Sequence, residues 1–230
     1  MQLSIFRTHN KLIEISWPEE ISETVLSEQL IVRDFLWKEY GEGIREIRMG
    51  FNSLSLKLKI EISKKDCNDL LQEIHDLSFQ TNVFENKTWN IPVCYGLSLG
   101  KDLEKLAKFH QLSSDEVIRI HSEATYTLHF YGFLPGFMYL GGMDERLYTP
   151  RKDLPERLIQ AGTVAIGGRQ TGIYPMDSPG GWYGIGKSPI KLFGINYSKE
   201  KIPSIGDKVK FEPISLNEFN LIQKENLKKS

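Results

Sequence analysis

The sequence predicts an α+β protein in which a small N-terminal α+β sandwich, residues 1–85, precedes a β-barrel domain with a C-terminal helical tail, residues 86–230. Glycine placement is the first reason, because only Gly41, Gly43 and Gly50 of the 19 glycines precede residue 90. The second reason is that strand and helix patterns alternate before that point, whereas short β runs and turn-rich loops dominate after it. The polar segment 81–90 lies between the two parts and is the expected domain link.

The first part shows two strand patterns and two helix patterns. A strand is predicted over residues 11–17, and Ser16 with the proline and glutamates that follow it indicates a helix start. This helix should stop at Gly41. Apolar and polar residues alternate over 54–60, which predicts a strand, and apolar residues recur at helical spacing over 64–79, which predicts a second helix.

The second part opens with a strand and two short helices, after which short β runs take over. Ser113 and Glu116 have capping-box spacing, in which each side chain satisfies an unpaired backbone donor. The predicted elements are a strand over 91–95, helices over 101–109 and 113–120, and strands over 125–130, 163–166, 190–195 and 208–211. Two separate cores should result, one holding Leu26, Leu30, Leu56, Leu58, Leu71 and Ile74, the other Val164, Ile166, Leu192 and Phe211.

Composition excludes several classes of protein. Lys and Arg number 29 against 30 Asp and Glu, for a net charge of −1, so no bulk electrostatic field favours nucleic acid or an anionic membrane. Cys67 and Cys94 are too few for a disulfide scaffold. We find neither a signal-peptide pattern nor an apolar run approaching about 18 residues. A cytoplasmic protein without nucleic-acid or membrane partners is expected.

The segment from Tyr126 to Pro189 is unusually dense in glycine, proline and large aromatic residues. Glycine permits positive φ and proline fixes φ, so runs such as 135–137 and 179–182 specify loop shapes residue by residue. Shaped loops usually carry function. The segment is therefore the predicted functional site, with aromatic filling of the barrel as the alternative.

Two local motifs in the chain lack the context that their usual chemistry needs. The run GWYGIGKS, residues 181–188, matches the Walker A pattern, but a P-loop requires a helix after it, and Pro189 instead leads into a strand pattern. His121-Ser122-Glu123 resembles the start of a zinc deaminase signature without the paired cysteines that complete it. We therefore predict neither a metal site nor a nucleotide loop, and no nucleophile motif is present.

Similarity to a known family lies chiefly in three segments: GFLPGFMYLGGMDERL, AGTVAIGGRQTGIYP and SPGGWYGIGKSP. They resemble the signature segments of the bacterial 5-oxoprolinase B-subunit family, which also contains the sporulation kinase A inhibitor and the allophanate hydrolase subunit 1 proteins. The resemblance extends from Ile91 to Phe211 and includes the run GDKVKF near its end. It implies a cyclophilin-like barrel for residues 86–230.

The resemblance implies the B subunit of an ATP-dependent 5-oxoprolinase, which opens the lactam of 5-oxo-L-proline to L-glutamate together with the A and C subunits. It further implies that ATP is used by the assembled complex and not bound by this chain alone, and that the chain is inactive alone. The alternatives are an inhibitor of a sporulation-type sensor histidine kinase and an allophanate hydrolase subunit 1-like protein. A prolyl isomerase would rest on fold analogy alone.

The predicted catalytic residues are His121, Tyr126 and Arg151. His121 and Tyr126 belong to the family signature, although His121 could equally be structural at a helix end. Arg151 could bind a carboxylate through two hydrogen bonds, and apolar walls would suit a small cyclic amide acid. Compared with the family pattern, Glu156 and Lys187 stand where arginine is common. The predicted substrate-binding residues are Phe133, Pro135, Gly136, Phe137, Tyr139, Gln170, Tyr174, Pro175, Gly180, Gly181 and Trp182.

Overall fold

The computed structural model describes residues 3–18, 20–77, 86–191 and 202–228. The chain divides into two compact units, residues 1–85 and 86–230. Within the described ranges, no helix combines the length and the apolar character needed to cross a bilayer.

The first unit is a four-stranded antiparallel sheet with two helices. Its strands are β1 (Ser4–His9), β2 (Leu12–Ser16), β3 (Ile44–Met49) and β4 (Ser53–Leu58), in the order β1-β2-β4-β3. Its helices are α1 (Glu23–Tyr40) and α2 (Lys64–His75). Side chains from β2, β4 and both helices share one core, which makes this unit an α+β sandwich as predicted.

The predicted first core is largely present. Leu56 and Ile74 belong to it and Leu58 and Leu71 pack against it, whereas Leu26 and Leu30 are buried but lie outside this cluster.

Element boundaries in the first unit depart from the sequence prediction in three ways. The first helix begins at Glu23 and not near Ser16, because the Ser22 hydroxyl accepts a hydrogen bond from the Val25 N–H and caps the helix there. The second helix ends at His75 and not at residue 79, since Asp76 and Leu77 are described and are not helical; residues 78–79 lie outside the described residues. Strands β1 and β3 are additional to the prediction, since neither shows a regular alternation of buried and exposed residues.

The second unit is built on a closed seven-stranded barrel, which confirms the barrel prediction. The strands are β5 (Thr88–Tyr95), β6 (Tyr126–Tyr131), β7 (Met138–Gly141), β9 (Thr163–Gly167), β10 (Gln170–Ile173), β12 (Tyr183–Lys187) and β13 (Lys208–Pro213). They close in the order β10-β7-β6-β13-β5-β12-β9. Strands β8 (Glu156–Ile159) and β11 (Ser178–Gly180) pair with each other outside the barrel.

Three helices accompany the barrel: α3 (Leu103–Phe109), α4 (Ser114–Glu123) and α5 (Leu216–Lys228). The Ser113–Glu116 capping box forms as predicted, with both reciprocal hydrogen bonds present. Val164, Ile166 and Phe211 lie in the barrel core. Leu192 and most of the strand predicted over 190–195 lie outside the described residues.

Asp207 links the starts of β13 and β5, the parallel strand pair of the barrel, through hydrogen bonds; we call this contact the Asp207 seam. Its buried carboxylate accepts hydrogen bonds from the indole N–H of Trp89 at 2.8 Å, from the Lys87 backbone N–H at 3.1 Å and from the Ser204 backbone N–H at 2.8 Å. Gly206 precedes it with φ +95°, a conformation that favours glycine. One carboxylate therefore links segments 118 to 120 positions apart in the chain.

Candidate functional site

The aromatic residues of the predicted site lie on the outer face of the barrel. Because side chains alternate along a strand, Val164 and Ile166 of β9 point into the barrel core while Ala165 between them faces the other way. Ala165 belongs to a second cluster with Phe137, Tyr174, Trp182 and Ile159, against which Leu134 and Tyr139 pack. We call this group the outer aromatic cluster.

Two glycines let the large rings lie directly on the strands. A Cβ atom at Gly167 would sit 2.3 Å from Cδ1 of Trp182, and one at Gly172 would sit 3.2 Å from Cζ of Phe137 and 2.8 Å from the Met138 carbonyl oxygen. The Phe137 and Trp182 ring centroids are 5.4 Å apart in an edge-to-face arrangement. The glycines of the sequence segment AGTVAIGGRQTGIYP therefore serve close approach as well as turns.

The loop between β6 and β7 supplies the exposed edge of the cluster. Phe133 is 60% exposed and adopts φ +63°, which is unusual for a residue with a side chain. Its ring lies edge-to-face against Phe137, with centroids 5.6 Å apart. Pro135 is exposed and Gly136 takes φ +84°, so the loop turns at the positions that the sequence indicated.

Arg151 is exposed and its guanidinium carbon lies 5.9 Å from the Trp182 ring centroid. Among the described residues it forms no ion pair and no hydrogen bond through its side chain. Arg146 differs, because Asp144 accepts two hydrogen bonds from its guanidinium, at 2.9 and 2.7 Å. Arg151 is thus a cation without an ion pair among the described residues, at the edge of the buried outer aromatic cluster, and its guanidinium is free to bind a carboxylate.

Burial controls the phenols next to this cation. It raises the pKa of Tyr174 to about 12, so the phenol stays protonated at neutral pH. It also raises the pKa of Tyr139, and Arg151 opposes that shift. Tyr174 lies against Gly180, where a Cβ atom would come within 2.3 Å of the phenol oxygen. Each phenol is therefore a neutral hydrogen-bonding group at this site.

The remaining predicted binding residues, Gln170, Gly181 and Pro175, lie outside the outer aromatic cluster and have different surroundings. Gln170 is half-buried, and its Oε1 atom has no hydrogen-bond partner among the described residues. Thr149 and Gly168 form a β-bridge, which joins the Arg151 segment to the turn before Gln170. The Gly181 carbonyl accepts a hydrogen bond from the Lys152 backbone N–H at 2.7 Å. Pro175 lines a separate cavity of about 210 Å³ that also includes residues of α5.

His121 and Tyr126 lie in the barrel interior and not with Arg151. The His121 ring is fully buried, with Nδ1 2.7 Å from the Tyr95 hydroxyl and Nε2 2.8 Å from the Thr171 hydroxyl. Burial lowers the pKa of His121 to about 3, so the imidazole is neutral. The Tyr126 hydroxyl donates to the His121 carbonyl at 2.9 Å. The structure thus places the predicted catalytic residues in two surroundings: His121 and Tyr126 are buried in the barrel interior, whereas Arg151 is exposed.

The Walker-like run GWYGIGKS forms a strand. Residues 183–187 are β12, which pairs with β5 and β9 in the barrel. Its backbone groups therefore belong to a β ladder, whereas a P-loop aims its amides at phosphate.

Sequence reasoning missed a buried ion pair beside the cluster. The Lys152 ammonium lies 2.7 Å from Asp102 Oδ2, and these side chains are only 10% and 12% exposed. The same Asp102 oxygen accepts a hydrogen bond from the Gly184 N–H at 2.8 Å. Lys152 also pairs with Glu156, four residues later in the chain, and Lys101 pairs with Glu156. Only the four-residue spacing could have been noticed in the sequence, since Asp102 and Lys152 are 50 positions apart.

No group of three or more metal-ligating side chains occurs in the part of the chain that the structure describes.

Comparison with known proteins places these features in a family. A model described as the carboxyltransferase domain, subdomain C and D, matches residues 3–202. The 5-oxoprolinase B subunit of Bacillus subtilis is 43% identical over 166 residues, which are 72% of this chain and 68% of that protein. The protein of the same name from Haemophilus influenzae is 41% identical over 172 residues, which are 74% of this chain and 79% of that protein.

Solved structures show the same fold within longer chains. The protein TTHA0988 matches with a TM-score of 0.72 at 27% identity, over 93% of this chain, and this chain spans 40% of that one. The K. lactis urea amidolyase matches with a TM-score of 0.84 over 97% of this chain and 15% of its own. At 17% identity the latter match shows the fold alone. The family model over residues 3–202 and the sequence relatives show that the chain belongs to the 5-oxoprolinase B-subunit family.

Proposed function

We propose that this chain is the B subunit of a bacterial 5-oxoprolinase and that it acts with the A and C subunits in the ATP-dependent hydrolysis of 5-oxo-L-proline to L-glutamate. Three curated relatives named as 5-oxoprolinase B subunits, at 41% to 43% identity, support this function. They do not favour the kinase-inhibitor alternative. The structural observation that carries the proposal is the Arg151 guanidinium, free of any ion pair among the described residues, beside the outer aromatic cluster.

The chemistry of the substrate explains why such a surface is useful. 5-Oxo-L-proline is a flat five-membered lactam with one carboxylate. Arg151 would bind the carboxylate, and the exposed ring of Phe133 would contact the lactam, with the buried Trp182 supporting the Arg151 guanidinium from below. Tyr174 and Gln170 supply neutral polar atoms near the same surface. In this proposal the chain binds and orients the substrate and keeps water from one side of it.

The ring-opening step needs activation because an unstrained amide is a poor electrophile. ATP supplies that activation in the proposed reaction. We assign ATP to the assembled complex and not to this chain alone, since the only Walker-like run in its sequence forms β12.

Reconstitution tests the function. We expect no ATP-dependent hydrolysis of 5-oxo-L-proline by the purified chain, none by the A and C subunits without it, and turnover when all three are combined. The readout is L-glutamate formed together with ADP. Turnover by the chain alone, or full activity from A and C without it, would refute the proposal. A chain that ignores A and C but blocks autophosphorylation of a sensor histidine kinase would instead be the inhibitor.

We further propose a cytoplasmic location. Cys67 and Cys94 are both unpaired and buried, which suits a reducing compartment. Fractionation of the native cells, with immunodetection of this chain, checks the location.

A further inference from the structure

A small cavity of about 210 Å³ borders Trp182. The segment leading into α3 forms one wall, strand β8 forms another, and Thr163, Gly184 and Lys187 contribute from β9 and β12. Trp182 lines this cavity and also belongs to the outer aromatic cluster. The cavity is thus next to the candidate site but is lined by different charged residues.

The carboxylates of the cavity are already neutralised. Asp102 is paired with Lys152, and it also accepts the Gly184 N–H. Glu156 is paired with both Lys152 and Lys101. Two carboxylates are therefore matched by two ammonium groups, and neither carboxylate is left to pair with another cation.

Lys187 is the uncompensated cation of the cavity. Its ammonium group donates to Gln160 Oε1 at 2.8 Å, a neutral acceptor, and no carboxylate of the described residues lies within ion-pair distance. Lys187 borders two cavities, this one and the one near α5. Its hydrogen-bond partner Gln160 lines only the cavity beside Trp182, so the ammonium group points toward that cavity. Burial lowers the pKa of Lys187, and the more distant Asp177 opposes that shift.

The Lys187 side chain is held by its surroundings. Lys187 pairs with Thr163 in the β12–β9 ladder. Its stem runs over Gly162, where a Cβ atom would lie 3.4 Å from Cγ and 3.5 Å from Cε of the lysine. Gly162 has φ +84°, a conformation that favours glycine. Lys187 is half-buried, and its ammonium donates to the exposed Gln160 with no carboxylate of the described residues within ion-pair distance, so a carboxylate in the cavity would gain a charge-assisted hydrogen bond.

We propose that this cavity binds the carboxylate of a small organic acid, with Lys187 as its counter-ion and Gln160 and Thr163 as neighbouring polar groups. The identification of that acid as 5-oxo-L-proline or L-glutamate rests on the proposed function, and this cavity is then a second acid site, separate from the one at Arg151, because 5-oxo-L-proline has a single carboxylate. Inorganic phosphate shares the charge chemistry and is the competing source of an anion. The cavity's mixed, largely neutralised walls favour a singly charged carboxylate, because a doubly charged phosphate would leave excess negative charge beside Asp102 and Glu156.

Binding to the full chain tests the proposal by calorimetry and by amide chemical shifts, with 5-oxo-L-proline, L-glutamate and inorganic phosphate as probes. We expect one of the two acids to bind with a Kd of about 1 mM or below, the upper end of ordinary substrate affinities. Lys187→Met should weaken that binding about 10-fold to 100-fold, because a hydrogen bond to a charged group is lost. Lys187→Arg should restore it, since the positive charge returns. Lys210→Met, at an exposed position of β13, is the matched control and should bind as the unmodified chain does.

Three results would overturn the proposal: neither acid binds the unmodified chain, Lys187→Met binds as well as Lys187→Arg, or phosphate binds more tightly than either acid. Thermal unfolding of each variant shows whether it is folded, and the chemical shifts of Gln160 and Thr163 report the location of binding. The outcome is separable from the proposed function. Lys187-dependent acid binding without turnover in the reconstituted complex would refute only the enzyme assignment, whereas turnover with unchanged binding in Lys187→Met would refute only this cavity.

Discussion

Replacing Arg151 with alanine should impair use of 5-oxo-L-proline by the reconstituted complex far more than replacing Arg146. The two arginines are five positions apart, but their surroundings differ. Arg146 is engaged by Asp144 through two hydrogen bonds, whereas Arg151 has, among the described residues, only the Trp182 ring. Arg151 can therefore give its full hydrogen-bonding capacity to a substrate carboxylate, and Arg146 cannot.

The expected magnitudes follow from these contacts. A hydrogen bond to a charged group contributes about 1.5–3 kcal/mol, so Arg151→Ala should lower kcat/KM about 10-fold to 150-fold. The Arg146–Asp144 pair is solvent-exposed, with side chains 55% and 31% exposed. Such pairs contribute about 0–1 kcal/mol to stability. Even if the whole of that loss raised the free energy of the transition state, Arg146→Ala would lower kcat/KM by no more than about fivefold.

Steady-state kinetics of the complex assembled with each variant makes the comparison. Arg151→Lys should fall between alanine and the unmodified chain, because lysine keeps the charge but not the planar two-bond geometry. Co-purification with the A and C subunits establishes that each variant still assembles. Equal small effects of the two alanine variants would refute the role of Arg151.

Three further predictions concern stability and organisation. Gly167→Ala should displace Trp182, lower the free energy of unfolding by about 1–3 kcal/mol and change the tryptophan emission. The control Gly168→Ala has open space at its Cβ, so it should cost only about 1–2 kcal/mol for its positive φ and leave the emission unchanged. Unchanged emission in Gly167→Ala would contradict the packing of Trp182 on that glycine. Because the pKa of His121 is about 3 when folded and 6.5 in the unfolded reference, the unfolded chain takes up the proton first as pH falls, so stability should decline between about pH 6.5 and 3 by up to about 1.4 kcal/mol per pH unit. His121→Gln should flatten that decline, and an unaltered slope in pH-dependent denaturant titrations would argue against a buried neutral imidazole. Limited proteolysis should cut within 81–90 and leave two fragments that each keep secondary structure by circular dichroism; fragments without it would mean that the two parts are not independent domains.

Much of the fold could be predicted because its signals are local. The capping box at Ser113 and Glu116 specifies a helix start within four residues, and the alternation through Leu54 and Leu56 specifies a strand with one buried face. Strand β3, with sequence IREIRM, lacks such a signal, since charged residues interrupt its pattern. The predicted start of α1 is wrong because Ser16 and Ser22 are both plausible caps, and only the structure shows which hydroxyl meets a helix N–H.

The candidate site was only partly predictable for a different reason. Density of glycine, proline and aromatic residues indicated where the shaped loops lie, and the outer aromatic cluster is built from them. His121 lies on α4 and Arg151 lies in the loop after the Thr149–Gly168 bridge, and no local sequence pattern distinguishes the buried residue from the exposed one. The burial of His121 accompanies contacts with Tyr95 and Thr171, which come from distant segments of the chain. The Asp102–Lys152 pair depends on contacts between distant segments and leaves no local pattern.

The Asp207 seam has a consequence for the order in which the chain can acquire its structure. Strand β5 needs β13 as its parallel neighbour, and the carboxylate that fastens them comes from the start of β13. During synthesis, Trp89 leaves the ribosome well over a hundred residues before its partner exists. The first unit can form early from nearby segments, whereas the barrel must wait with an open edge until β13 arrives. Throughout that interval β5 and β6, which flank β13 in the finished barrel, both lack that neighbour, and both strands need protection from pairing with another chain.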